Sequence, residues 1–217
     1  ADLYASPRHQ HVLRDFRGLL LISDADYERL YVPALNNFAE FVQVLPAQVN
    51  GPLSSLLNEG LARAVLAVKH YLARTELADP LIIYALFTAG LFIDVAKMIT
   101  NYMVVITNEA GEYIDQWQPV TGSLVGQAEF YKLYPVAPIY QRIERSITPL
   151  LIKQLMPEEG YLWIASDLQV FADWLDALGG ESDQGGQVAH GLSLIPYDDL
   201  MEMLRALMQV PVDMVFS

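Results

Sequence analysis

Asp94 and Lys97 stand three residues apart in a long apolar run, Pro80 to Ile106. On a helix that spacing puts a carboxylate and an ammonium on one face. Such a pair is either the remnant of an acid–base site or a partly buried ion pair that serves the fold, and the second reading is preferred. With Glu59, Asp94 offers carboxylates that could hold Mg²⁺, which accepts carboxylate oxygens and keeps waters. The residue before Asp94 is Ile93, whose hydrocarbon side chain cannot ligate a metal as an imidazole would. His9, His11, His70 and His190 do not converge by any spacing argument and read as scattered surface residues. The chain has no cysteine, so thiol nucleophiles, disulfides and cysteine zinc sites are excluded. Gly122-Ser123-Leu124-Val125-Gly126 is not a nucleophile elbow, and no Walker A or dinucleotide fingerprint occurs. Glu158, Glu159, Asp173, Asp176, Asp198, Asp199 and Glu202 read as solvated faces.

The elements that must carry these residues follow from periodicity and punctuation. Ser23 to Asp26 forms an N-cap with acidic residues in the first turn. It opens a helix from Tyr27 to Val44, where Leu30, Ala34, Phe38, Phe41 and Leu45 recur at the helical period, and Leu45-Pro46 closes it. After the turn Asn50-Gly51-Pro52, a second helix over Leu53 to Thr75 presents Glu59. Asp79-Pro80 caps a third, Leu81 to Asn101, which is apolar nearly all round and therefore central. Val104–Thr107 and Glu112–Ile114 flank Asn108–Gly111 as a β-hairpin. Helical pattern returns over Leu124–Leu133 and from Pro138 to Leu155, and Pro157-Glu158-Glu159-Gly160 reads as a break. Ser166-Asp167 caps a helix that ends at Gly179-Gly180, Gly179–Gly191 is a glycine-rich loop, and Pro196 opens a last helix to Met208. An apolar tail follows Val210.

The 217 residues are 53% apolar and 18% charged, enough for a sizeable core and too apolar for disorder. The formal net charge is -13, with 13 basic against 26 acidic residues. Phosphate binding needs clustered Lys and Arg, so no nucleic-acid partner is expected. Arg8, Arg14 and Arg17 with His9 and His11 read as a solvated terminal helix. The acidity also disfavours anionic membrane and suits a basic protein partner. Asp94 and Lys97 interrupt the apolar run, so it reads as a core helix and no direct membrane insertion is expected. No signal-peptide pattern is visible in a chain that starts at Ala1, and a cytoplasmic location is expected.

Four blocks carry a resemblance. They are Arg29-Leu30-Tyr31-Val32-Pro33-Ala34-Leu35 with Phe41-Val42-Gln43-Val44-Leu45-Pro46-Ala47, then Ser54-Ser55-Leu56-Leu57-Asn58-Glu59-Gly60-Leu61, then Gly90 to Lys97, and then Trp117-Gln118-Pro119-Val120-Thr121-Gly122-Ser123-Leu124. Over Arg8 to Gly126 the chain resembles the HD-like N-terminal domain of the MobH class of conjugative relaxases, the TraI type. The resemblance places an HD-motif histidine at Ile93, its aspartate at Asp94, its lysine at Lys97 and its glycine at Ala96. A further family histidine falls on Glu59, and those expected after the P-A-S element fall among Asn50–Leu53, where there are none. One carboxylate, even with Glu59, cannot hold a transition metal in the family's manner.

The element pattern gives a mainly α fold with one small β-hairpin and a subdomain boundary near Leu155–Gly160, and with the resemblance it reads as an HD-like helical bundle over residues 1–155 and a C-terminal helical extension over 156–217 packed on it. The resemblance implies no catalytic residues and no cofactor, and a degenerate motif made of Glu59, Ile93, Asp94 and Lys97. A non-catalytic adaptor of a bacterial type IV secretion coupling complex fits this setting, with a coupling ATPase and its accessory subunits as partners. Tyr131 and Tyr134, with Met208 and Met214, are candidate partner-binding residues, and the tail after Val210 is a candidate anchor. The alternative is a Mg²⁺-dependent nuclease or phosphohydrolase, or a relaxase-related DNA-processing domain, built on Asp94.

Overall fold

The computed structural model describes residues 4, 6–180 and 186–208. The chain is mainly α with a small antiparallel sheet. Helix α1, Pro7–Leu19, starts on Ser6, whose side chain accepts from the His9 amide, and it buries Phe16. Ser23 caps the next run by accepting from the Asp26 amide. That run passes from α2, Asp24–Asp26, through a π turn, Tyr27–Tyr31, into α3, Val32–Val42. The period read from the sequence is correct there, but the π turn is not visible in it.

Helix α4, Ser55–Leu72, and helix α5, Pro80–Phe92, form the centre of the molecule. Asp79 caps α5 by accepting from the Leu81 amide, and every residue from Ile82 to Phe92 is buried. The stretch Pro80–Thr100 is long and apolar enough to cross a membrane, but 78% of its most apolar window is covered by the rest of the protein. The helix expected to run on to Asn101 breaks after Phe92. Three-residue turns, with the Val95 amide donating to the Phe92 carbonyl and Lys97 to Asp94, lead into the short α6, Lys97–Thr100.

The expected hairpin is present as β1, Tyr102–Thr107, and β2, Tyr113–Gln116. The stretch 124–133, expected to be helical, instead supplies a third strand, β3, Phe130–Pro135, on the other edge of β1. Its alternation decides this: Tyr131 and Leu133 are half-buried while Phe130, Lys132 and Tyr134 are exposed. The order is β2-β1-β3. The sheet is fastened to the chain leaving α3, where the Tyr102 hydroxyl donates to the Pro46 carbonyl at 2.7 Å and Tyr131 donates to Val44.

Helix α7, Glu144–Leu155, follows, and then α8, Glu158–Ala165. The expected break at Pro157–Gly160 is confined to Met156 and Pro157, because Pro157 supplies the non-helical residue that precedes the first turn. Helix α9, Leu168–Leu178, is capped by Asp167 as expected. Part of the expected glycine-rich loop is helical: α10, Gln187–Ser193, is anchored where Asp173 accepts from the Gln187 amide. Helix α11, Tyr197–Met208, ends the described chain, and the tail after Val210 lies outside the described residues. Helices α9 and α10 pack on α5, and α11 packs on α4. The Trp174 indole N–H donates to Thr88 Oγ1 across the α9–α5 contact at 3.0 Å, inside the core.

Candidate functional site

Helices α4 and α5 cross closely because glycines sit at the crossing. A Cβ on Gly90 would lie 2.8 Å from Ala64 Cα, and one on Gly60 would lie 2.7 Å from the Leu91 carbonyl oxygen. This approach brings one face of α4, carrying Glu59 and Arg63 four residues apart, over the turn that follows α5. Lys97 Nζ lies 3.1 Å from Asp94 Oδ2 and 3.4 Å from Glu59 Oε2. The Arg63 guanidinium donates to the same Asp94 oxygen. Glu59, Asp94 and Lys97, singled out in the sequence, are thus assembled in space, and Arg63 completes the group. Sequence reading missed Arg63, although its position one turn after Glu59 was the available signal.

Asp94 is 16% exposed and Arg63 is 22% exposed. Burial opposes ionisation of Asp94, but Arg63 and Lys97 outweigh it and hold the carboxyl below its ordinary range. The carboxylate is therefore charged and already doubly paired. Ile93 and Glu59 stand where the family has histidines, and Asp94 is already paired with Arg63 and Lys97, so these residues do not fit the metal that the family resemblance implies. Among the described residues, no group of three or more His, Asp or Glu side chains could hold a metal ion.

Ile93 is half-buried against the core and forms part of the wall of a hollow of about 390 Å³, together with Arg63, Ala189, Tyr197 and Leu200. It therefore sits at the edge of the core, under α10 and α11, and not deep within it. Gly51 and Leu53, from the loop where family histidines were sought, line a different hollow against β3.

The histidines are less scattered than expected. His9 Nε2 lies 2.8 Å from Asn58 Oδ1, next in sequence to Glu59. His70 is 15% exposed and its Nε2 lies 2.8 Å from Asp199 Oδ2, without the alignment of a hydrogen bond. Both are held by the fold because α1 and α11 cross α4, a tertiary placement that spacing does not reveal. His11 and His190 are exposed, as expected.

Of the candidate partner-binding residues that are described, Tyr131 and Tyr134 do not share a face. Tyr131 and Tyr134 are three apart, which is one face of a helix but opposite faces of a strand. Tyr131 points inward to the Val44 carbonyl and Tyr134 is 45% exposed on the outer face. Met208 is exposed at the end of α11, which packs on α4 and α1, and Met214 lies outside the described residues.

Fold and cluster together define a mainly α domain whose central helix crossing carries a group of mutually paired charges. Residues 1–191 match the TraI_2 family, described as "Putative helicase", and the chain belongs to that family. The match runs from the first residue into α10, well past the stretch that carries the sequence resemblance. No curated protein matches the chain.

Proposed function

We propose that this chain is a non-catalytic, HD-like adaptor in a bacterial type IV secretion coupling complex, working in the cytoplasm through protein–protein contacts. One observation carries the reading. Asp94, at the position of the motif's aspartate, and Glu59, at the position of a family histidine, are neutralised by Arg63 and Lys97. A guanidinium and an ammonium supply the positive charge that a metal would otherwise bring, so the helix crossing needs no ion. The family description does not make this chain a motor, since none of its 217 residues form a Walker A sequence. A coupling ATPase with its accessory subunits is the partner this reading names, and no cofactor is part of it.

A second reading keeps the alternative of a Mg²⁺-dependent nuclease, phosphohydrolase or relaxase-related DNA-processing domain. It is favoured by the approach of Glu59 and Asp94 to one point, the Lys97 ammonium. Calorimetric titration with Mg²⁺ and Mn²⁺, with a phosphodiesterase assay on the same samples, separates the two. The adaptor reading expects no saturable metal binding and no hydrolysis. It also expects co-purification with a coupling ATPase that Asp94→Ala leaves unchanged. Tight metal binding with hydrolysis, both lost in Asp94→Ala, would overturn it.

A further inference from the structure

A hollow of about 660 Å³ opens between the π turn and α8, apart from the Asp94 cluster. Its construction is specific. The Tyr84 hydroxyl donates to the Leu30 carbonyl at 3.2 Å, its ring stacks on Trp163, and Gly160 sits against it. A Cβ on Gly160 would fall 2.0 Å from Tyr84 Oη, so only glycine lets α8 come this near. Gly160 thereby sets Glu159 beside Arg29 and turns Leu162 and Trp163 into the hollow. A second hollow, of about 340 Å³, adjoins it and shares Leu21, Ile22, Tyr31 and Pro80 as a common wall. Leu21 is 95% exposed on that wall and Leu162 is 58% exposed. Large apolar side chains standing in water along a paired cavity mark a contact surface.

The charge along the rim selects the partner. Asp26, Glu159 and Glu76 line the two hollows, and Arg29 is the one cation among the lining residues. Arg29 is already tied to both Asp26 and Glu159. The rim therefore keeps a surplus of negative charge, on a chain of net charge -13.

We propose that this double hollow is the docking groove for an amphipathic, basic helix of a protein partner. Successive bulky apolar side chains along one face of such a helix would enter the adjoining hollows. Lys or Arg on the flanks would meet Asp26, Glu159 and Glu76. Anionic lipid is disfavoured by the same rim. The inference deepens the adaptor reading by giving the partner's chemistry, and its test does not involve Asp94, so either can fail alone.

The test is fluorescence anisotropy of the full chain with three labelled model helices: one with Leu along one face and Lys on the flanks, one with Ala replacing Leu, and one with Glu replacing Lys. The Leu/Lys helix is expected to bind at least about tenfold more tightly than either control. Leu162→Ser and the pair Asp26→Lys with Glu159→Lys should each weaken it by about tenfold. Leu21→Ser should do the same, and its exposure keeps that change clear of folding. The proposal is overturned by absent binding, by equal binding of the Ala/Lys helix, or by indifference to all these variants. It is also overturned if sedimentation shows self-association that Leu21→Ser abolishes, since the occupant would then be a second copy of the chain.

Discussion

Arg63 on α4 donates to the Asp94 carboxylate in the turn after α5, so the two central helices are joined by a charge pair at the point where they part. Lys97 meets the same oxygen from the far side of the turn. Removing the shared anion takes Asp94 from Arg63 and leaves Lys97 with Glu59 alone, in a partly dry place. Asp94→Ala is therefore expected to cost about 2 kcal/mol, below the range for a fully buried pair because water still reaches the group. For a chain of this size that lowers the melting temperature by roughly 5 °C. Arg63→Met should cost less, since Lys97 still compensates Asp94. Calorimetric melting of both variants checks the order, and an Arg63→Met protein less stable than Asp94→Ala would contradict it.

The same pair sets a pH dependence. Despite burial, Arg63 and Lys97 hold Asp94 below its ordinary 3.8, so on acidification the unfolded chain takes up this proton first. The stability contributed by Asp94 is thus complete well above 3.8, shrinks as pH falls through that value, and is gone below the folded-state value. Urea midpoints measured from about pH 6 to 3 should fall less steeply for Asp94→Asn than for the wild type. Parallel curves would show that Asp94 titrates alike in both states.

Much of this site was legible because local signals agree. Asp79-Pro80 marks the start of α5, its all-round apolarity marks it as central, and the spacing of Asp94 and Lys97 gives their shared face. Arg63 was equally legible as the residue one turn after Glu59. What sequence could not supply is non-local. Phe130, Tyr131, Leu133 and Tyr134 fit a helical period as well as a strand, and only pairing with β1 decides between them. The π turn and the hollow beside it depend on Tyr84 and Gly160, which lie 76 positions apart and meet only after folding. The exposed Tyr134 follows from the same pairing. Tyr134→Ser should change stability by no more than about 0.5 kcal/mol. Tyr131→Phe should cost about 1 kcal/mol, through the lost bond to Val44. Chemical denaturation of the two variants tests the strand assignment directly.

The helix crossing that assembles the charge cluster depends on Gly90. A Cβ there would meet the backbone of Ala64, 2.8 Å from Cα and 3.0 Å from the amide nitrogen, and backbone cannot swing aside as a side chain end can. Helix propensity favours Ala over Gly by about 1 kcal/mol, whereas overpacking costs about 1–3 kcal/mol. Because the obstacle is backbone, the upper part of that range applies, and Gly90→Ala is expected to destabilise by roughly 2 kcal/mol net. A thermal melt at or above wild type would mean that α4 and α5 do not approach this closely.

The contact between α9 and α5 makes a sharper test, because it rests on one polar bond in an apolar setting. Trp174 is 1% exposed and its indole N–H donates to Thr88 Oγ1, which is itself fully buried and donates back to the carbonyls of Tyr84 and Ala85. Thr88→Val keeps the volume but removes the acceptor, leaving a buried N–H with no partner, at a cost of about 1–3 kcal/mol. Trp174→Phe removes that N–H along with part of the ring. In the Trp174→Phe background Thr88→Val should therefore cost distinctly less, and a double-mutant cycle by urea denaturation isolates the difference. Equal costs in both backgrounds would show that apolar packing alone, and not this bond, holds α9 against the central helix.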